Sequence, residues 1–567
     1  YRFGNLIRKL DNIYEKRGIR IELFEWEDYD AAYNGMRKQD EYNERVRASD
    51  MFLALFHKKA GKFTIEEFNI ARKAFDKQAS PKIYTYIKDL EAGESESREL
   101  AEFKRLMLEE LGHYWCRYSN FDTMQLHFVL QLQMVEATTP IKVEVKESQV
   151  KIGDSTIADL NNVPFTSENA THRELQSRKE QLDREIGNAE SGGRRGFFGQ
   201  RSRMTDEELA NLREERESVT EQIERQEKAL VDTAMSIARM QGGECSPRMR
   251  TAAELFEKGE TDKAEAVLKE DDMEADATNA KLKFDTAAQP TAELARNIER
   301  CAGEYMLKAR IVVSGIADES RYRQAVKLMS TAIDLVSGRL PEETLAEYLF
   351  DYAVLLADAG QQTKALETWE RLSGIYERLY RKAPQKYAYG YAGVLNNIAV
   401  LYSDKGDFDH CLSKYLKAVD IYDRLDREEP GIYDDDIARL KNNLGTLYSD
   451  RDEYNKALSE FNEAARIRFE LLAKDNDPDS RSALADIYCN MATALQFSDH
   501  PQEALRYIAQ AHAILDELDK EFPRIYEYKL YSILNREGSI YTRLDQLDKA
   551  EESLQKSLQL ATNLASR

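Results

Sequence analysis

TKALETW (363–369), DHCLSKY (409–415), NKALSEF (455–461), QEALRYI (502–508) and DKAEESL (548–554) read as one motif written five times. Their third residues are Ala365, Cys411, Ala457, Ala504 and Ala550, spaced 46, 46, 47 and 46 apart. A second series of small residues, Ala353, Ala399, Gly445, Ala492 and Gly538, keeps the same spacing and runs ahead of the first by a constant interval of twelve positions. The tetrapeptide LYSD recurs at 401–404 and 447–450 with the same shift. Such an interval separates facing positions on two antiparallel helices joined by a tight turn, and small residues there let the backbones approach. The stretches between, DAGQQ, DKGDF, DRDEY, SDHPQ and LDQLD, are polar turns. The spacing therefore predicts stacked helical hairpins.

The pattern resembles the tetratricopeptide repeat, whose usual period is about 34 residues. The longer period here implies longer helices or longer loops between repeats, such as RKAPQKYAYG and DREEPGIYDD. Weaker copies are read around Ala264 (GETDKAEAVL) and Ala325 (SRYRQAVKLM). Such an array is a scaffold for a peptide or protein, or for copies of itself. Most of its residues serve only to build it.

Composition sets the frame. The 567 residues suggest three or four domains. Net charge is −22, which argues against general nucleic-acid affinity, since phosphate binding needs local Lys and Arg. No apolar run approaches the ~20 residues of a membrane-spanning helix. The cysteines at 116, 245, 301, 411 and 489 are scattered and form no CxxC pair, so neither a zinc site nor a disulfide framework is expected, and a cytoplasmic location is. No GxxxxGK[ST] loop is present.

In the middle of the chain, IKVEVKESQVKIG (141–153) alternates as one or two short strands, and NNVPFT reads as a linker. Residues 167–190 and 205–240 read as a charged helical hairpin or coiled coil. Its tip, SGGRRGFFGQRSR (191–203), is basic and apolar in an acidic protein. It reads either as a docking point for a subunit, an anion or a membrane, or as a plain loop tip.

The N-terminal stretch, 1–136, follows another grammar. Helices at about 3–17, 38–48, 64–78 and 96–111 alternate with strands IRIELFEW (19–26), DMFLALF (50–56), KIYTYIK (82–88) and HYWCRYS (113–119), and a helix at 121–136 closes the series. This alternation predicts a parallel sheet covered on both faces, with ligands bound beyond the carboxyl ends of its strands. Trp26, Glu27, Asp28, Tyr29 and Tyr33 follow the first strand; His57, Lys58 and Lys59 follow the second. Thr64 reads as an N-cap, placing Glu66 and Glu67 in a first helical turn, where the helix dipole alone accounts for carboxylates.

The run RVRASDMFLALFHKKAGKFTIEEFNIA resembles the bacterial TIR-like domains: a helix, then SD opening an apolar strand, a loop, and a Glu with an Ala four residues later. That Glu is Glu67, with Ala71 after it; Glu66 is the off-by-one alternative. The resemblance extends over most of 1–136 and implies a flavodoxin-like sheet. The family's first strand precedes the first helix, and this sequence opens inside that helix. Many enzymatic members hydrolyse NAD at a Glu in this place, so the resemblance implies NAD as substrate with no cofactor or metal. By position alone, Trp26, Tyr29 or Phe56 would stack on a ring, and Lys58 with Lys59 would meet the pyrophosphate.

The expected architecture is a TIR-like α/β domain (1–137), a short β/linker segment (138–166), a charged helical hairpin (167–245) and a tetratricopeptide-like solenoid (246–567). The expected function is NAD hydrolysis in bacterial anti-phage defence, with assembly into homo-oligomers or sensing of a partner through the array. The other readings are a non-enzymatic adaptor, and a nucleoside or ribosyl transferase on the same fold.

Overall fold

A computed structural model describes the chain outside residues 1, 16–18, 25–37, 79, 92, 110–114, 133–142, 147, 153–154, 192–205, 242–244, 316–317, 475, 477, 522–525 and 566–567. It falls into two units: residues 1–136, 140–172 and 226–270 form the first, and 137–139, 173–225 and 271–567 the second.

The first unit opens with α1 (Arg2–Glu15), α2 (Lys38–Ala48), β1 (Met51–Phe56), α3 (Lys62–Gln78), β2 (Lys82–Lys88), α4 (Arg98–Glu109), β3 (Cys116–Tyr118) and α5 (Phe121–Leu132). The strands form a small parallel sheet in the order β1-β2-β3, with Met51 opposite Lys82 and Tyr86 opposite Cys116. Side chains alternate across a strand. Phe52, Ala54, Phe56 and Ile87 therefore meet Phe68 and Ala71 of α3 and Leu100, Phe103 and Met107 of α4, while Leu53, Tyr84 and Tyr86 meet Leu6, Leu10 and Tyr14 of α1 and Phe128 of α5. Helices cover both faces, as a parallel sheet requires.

The strand expected at 19–26 does not form over its described residues, 19–24. Its apolar alternation is nonetheless meaningful, because Ile19, Ile21 and Leu23 pack on the α1–α5 core. The backbone goes elsewhere. The Ile19 N–H donates to the Tyr14 carbonyl (3.0 Å) and the Ile21 N–H to the Asp11 carboxylate (2.7 Å), so α1 takes donors that a sheet ladder would use.

The next segment forms three antiparallel strands where one or two were expected: β4 (Glu144–Lys146), β5 (Gln149–Ile152) and β6 (Ser155–Asp159). Ser148, at φ 58°, makes the turn from β4 to β5. NNVPFT is no linker. Its residues make a 3-10 turn (Leu160–Asn162) and α6 (Pro164–Ser167), Val163 and Thr166 are fully buried, and Phe165 stacks on Phe256 at 5.5 Å. The unit continues through α7 (Ala170–Ser191) and α8 (Asp206–Gln241), which leave and re-enter it, and ends in α9 (Pro247–Glu257) and α10 (Thr261–Val267), the hairpin read from Ala264. Gly259 joins these two at φ 78°, with the α6 backbone 2.7 Å from where a Cβ would stand.

In the second unit, α7 and α8 run antiparallel. Arg178 pairs with Glu215, and Arg216 with Asp183, beside a small core of Leu182, Val219 and Ile223. The basic tip lies outside the described residues. After α11 (Glu270–Thr286) come six hairpins: α12 (Ala292–Val313) with α13 (Glu319–Val336), α14 (Glu342–Asp358) with α15 (Gln362–Lys382), α16 (Pro384–Asp404) with α17 (Phe408–Glu428), α18 (Asp434–Asp450) with α19 (Tyr454–Lys474), α20 (Pro478–Phe497) with α21 (Pro501–Glu521), and α22 (Glu527–Arg543) with α23 (Leu547–Ala565).

The small-residue series works as expected. Ala353, Ala399, Ala492, Ala365, Cys411, Ala457 and Ala504 have no exposed surface. A Cβ on Gly445 would stand 2.6 Å from Phe461, and one on Gly538 would stand 2.6 Å from Leu554. The structure adds a third series. Gly360, Gly406, Asp452, Asp499 and Asp545, again 46 or 47 apart, all take φ between 57° and 72° at the turn inside each hairpin. The N–H after each donates back to a carbonyl of the preceding helix: Gln361 to Leu356, Asp407 to Tyr402, Glu453 to Tyr448, His500 to Leu495 and Gln546 to Tyr541. This is the left-handed helix stop that satisfies last-turn carbonyls.

Candidate functional sites

The first site lies where the first turns of α2 meet the start of α3, beyond the carboxyl end of β1. The first helical bond of α3 runs from the Ile65 N–H to the Gly61 carbonyl, so the helix starts ahead of Thr64, and Glu66 and Glu67 stand in its second turn. Helix capping therefore does not hold these carboxylates; two amides of α2 do. Gln39 Nε2 donates to Glu67 Oε1 at 2.8 Å and to Asn43 Oδ1 at 3.2 Å, and Asn43 Nδ2 donates to Glu66 Oε1 at 2.9 Å. Gln39 and Asn43 are only 2% and 3% exposed. Burial pushes the Glu67 carboxyl above 4.5; the Gln39 hydrogen bond opposes this rise and the neighbouring Glu66 charge adds to it. Gln39 Oε1 is buried without a hydrogen-bond partner, a state that costs about 1–3 kcal/mol.

The remaining expected residues are spread apart. Trp26 and Tyr29 lie outside the described residues. Phe56 is 3% exposed and packs on Phe103 at 5.1 Å, so its ring belongs to the core and offers no open face. Lys58 spends its charge on Glu94 at 2.5 Å, and His57 Nε2 is 3.2 Å from the same carboxylate. The Lys58 hydrogen bond, helped by the Glu91 N–H, pulls the Glu94 carboxyl down from 4.5 to about 2.

One polar group escapes a sequence reading because its members are far apart in the chain. The His127 ring lies between Cys116 Sγ (3.1 Å) and the Tyr86 hydroxyl (3.3 Å). Burial drives both the thiol and the phenol far above their ordinary values. A thiol held protonated is no nucleophile, so this group is a core network.

The second site is the seam between the first helices of successive hairpins. Asn443 Nδ2 donates to Asn396 Oδ1 at 3.4 Å; one repeat on, Asn490 Nδ2 donates to Asn442 Oδ1 at 3.1 Å. Position for position, these are the same bond. The row continues with Arg536 on the Cys489 carbonyl, and nearer the start of the same two helices Lys529 pairs with Asp486 (2.6 Å). Its residues are half-buried, and asparagine amides carry both donors and acceptors.

A tetratricopeptide repeat family model matches residues 531–564, across α22 and α23. The second unit carries a tetratricopeptide-like array. The chain is similar to the apo form of RapI (15% identity, 68% of this chain and 97% of that one, TM-score 0.38). It is also similar to BtubC from P. vanneervenii (20%, 44% and 92%, TM-score 0.32) and to the C-terminal part of a repeat protein from Cytophaga hutchinsonii (16%, 55% and 94%, TM-score 0.33). No curated protein matches the chain. Among the described residues, no helix is long and apolar enough to cross a membrane, and no group of three or more His, Cys, Asp or Glu is placed to hold a metal ion.

Proposed function

We propose that the first unit is a TIR-like hydrolase of NAD with Glu67 as its catalytic carboxylate, and that the array is the element through which a partner or a second copy controls it. The observation that supports this most is the held pair at the start of α3. Glu67 sits beyond the carboxyl end of β1, half-buried, with a raised carboxyl and a fixed amide partner. Perturbed, positioned carboxylates of this kind mark functional sites. In the reaction, the C–N bond between ribose and nicotinamide breaks and its electron pair returns to the pyridine nitrogen. The ribose carbon becomes oxocarbenium-like. Water then supplies the new C–O bond and releases a proton. A carboxylate beside that carbon stabilises the developing positive charge. The setting we propose for such an enzyme, from the resemblance alone, is anti-phage defence, where NAD loss halts the infected cell.

The asparagine row supports an extended peptide as the array's partner. Its amides repeat at the repeat spacing, which suits the regularly spaced N–H and C=O groups of a peptide backbone.

The deciding experiment measures NAD over time with the full chain, at rising protein concentration, for wild type, Glu67→Ala and Glu66→Ala. The expected outcome is consumption to ADP-ribose by wild type and by Glu66→Ala. Glu67→Ala should lose about 10²–10³-fold, the scale of a lost transition-state electrostatic contact. No consumption by any form at any concentration favours the adaptor. A product carrying the ribosyl group on another acceptor favours the transferase.

A further inference from the structure

We infer that Gln39 is a positioning residue that holds Glu67 in its working orientation and in its ionised form. The inference rests on the hydrolase reading for its role in catalysis, but not for its effect on the carboxyl.

The argument starts from where the amides stand. Gln39, Tyr42, Asn43 and Val46 follow the i, i+3, i+4, i+7 spacing of a helix face turned inward. Val46 joins the core with Phe52 and Phe68, and Tyr42 packs against it. On that apolar stripe the two innermost places toward the helix start are amides, both buried, both donating to a carboxylate of α3. A leucine at 39 would serve packing better. Gln39 leaves its own carbonyl oxygen buried without a partner, so its place is a poor choice for stability and a good one for the carboxylate. One amide nitrogen bridges Glu67 and Asn43, which fixes the nitrogen end of the Gln39 head. Glu66 of the same helix adds its charge against Glu67, and α2 meets the pair with the neutral amides of Gln39, on Glu67, and Asn43, on Glu66. Two adjacent carboxylates on one helix point about 100° apart. A separate amide for each keeps them apart, and Gln39 lets Glu67 stay ionised although burial and Glu66 both oppose it.

The test uses the full chain and Gln39→Leu, with Gln39→Asn as a polar variant one methylene too short to reach. Carbodiimide modifies protonated carboxyls, so peptide mass spectrometry of labelling against pH gives the titration midpoint of Glu67. The expected result is a midpoint moved up by about one pH unit in both variants, a tenfold change in the ionised fraction at a given acidic pH. The acid limb of NAD consumption moves by the same amount, kcat falls more than KM rises, and the thermal midpoint of Gln39→Leu is unchanged or higher. An unmoved Glu67 midpoint in both variants overturns the inference, as does loss of thermal stability with an unmoved midpoint. If wild type consumes no NAD, the hydrolase reading fails, and the labelling midpoint still decides whether Gln39 governs Glu67.

Discussion

At the residue scale, the first unit sets two carboxylates in opposite electrostatic surroundings. Glu67 is raised by burial; Glu94 is pulled down to about 2 by Lys58. The sign of each consequence follows. A depressed carboxyl contributes stability that is complete above its unfolded value near 4.5 and is lost as pH falls toward 2. Lys58→Met should therefore flatten the acid side of the stability profile: the drop in urea midpoint between about pH 6 and about pH 3 becomes smaller than in wild type. A raised carboxyl works the other way on activity. On the proposed hydrolase reading, NAD consumption should fall with acid at a pH above that of an unperturbed carboxyl, because Glu67 takes its proton early.

Legibility in the sequence differs sharply between these residues. Glu67 is legible through its pattern with Ala71. Its partners are not, because nothing local says that the amides of KQDEYNERVRA face inward; only the four-residue step from Gln39 to Asn43 to the core positions hints at it. Phe56 misleads for a physical reason. A strand end suggests a ligand edge, whereas an every-second-residue pattern puts Phe56 on the same buried face as Phe52 and Ala54.

At the element scale, the hairpins of the array are legible through their two small-residue series and polar turns, whereas the loop expected at RKAPQKYAYG is helical except at Ala383, because Pro384 can open α16 directly after α15 ends. Short elements are not legible. The three strands at 144–159 and α6 are fixed by contacts distant in sequence, such as Phe165 on Phe256. The helix stops are hard to read because glycine and aspartate occupy one structural position. Left-handed backbone costs a non-glycine residue about 1–2 kcal/mol. Asp545→Gly should thus raise the stability of the array by up to about 1 kcal/mol, the relief being partly offset by a freer unfolded chain. Gly406→Ala should lower it by about 1 kcal/mol. Chemical denaturation followed by helical circular dichroism checks both.

At the scale of the whole molecule, the array is a row in which the main contacts of each hairpin are with its neighbours, so a lesion is felt according to its place. Gly445→Val forces volume between α18 and α19 in mid-row, and Gly538→Val does the same in the last hairpin. Each should cost about 1–3 kcal/mol locally. Hydrogen exchange should show fraying confined to α22 and α23 for Gly538→Val, and loss of protection on both sides of the lesion for Gly445→Val. Uniform loss along the array in both variants would contradict nearest-neighbour stacking.

The turn series also makes the array divisible. Gly406 and Asp452 are equivalent points on the chain, and the residue after each donates to the same carbonyl of its helix. If residues 407–452 were excised, Glu453 would follow Gly406 with its N–H at the Tyr402 carbonyl. Asn490 would then reach Asn396 by the bond it now makes to Asn442. The seam would close over the cut, and the strain would fall inside the new hairpin, where Ala399 would put a Cβ in the place of Gly445, against Phe461. A chain built this way can change the length of its seam by whole hairpins, with one helix pair to refit each time.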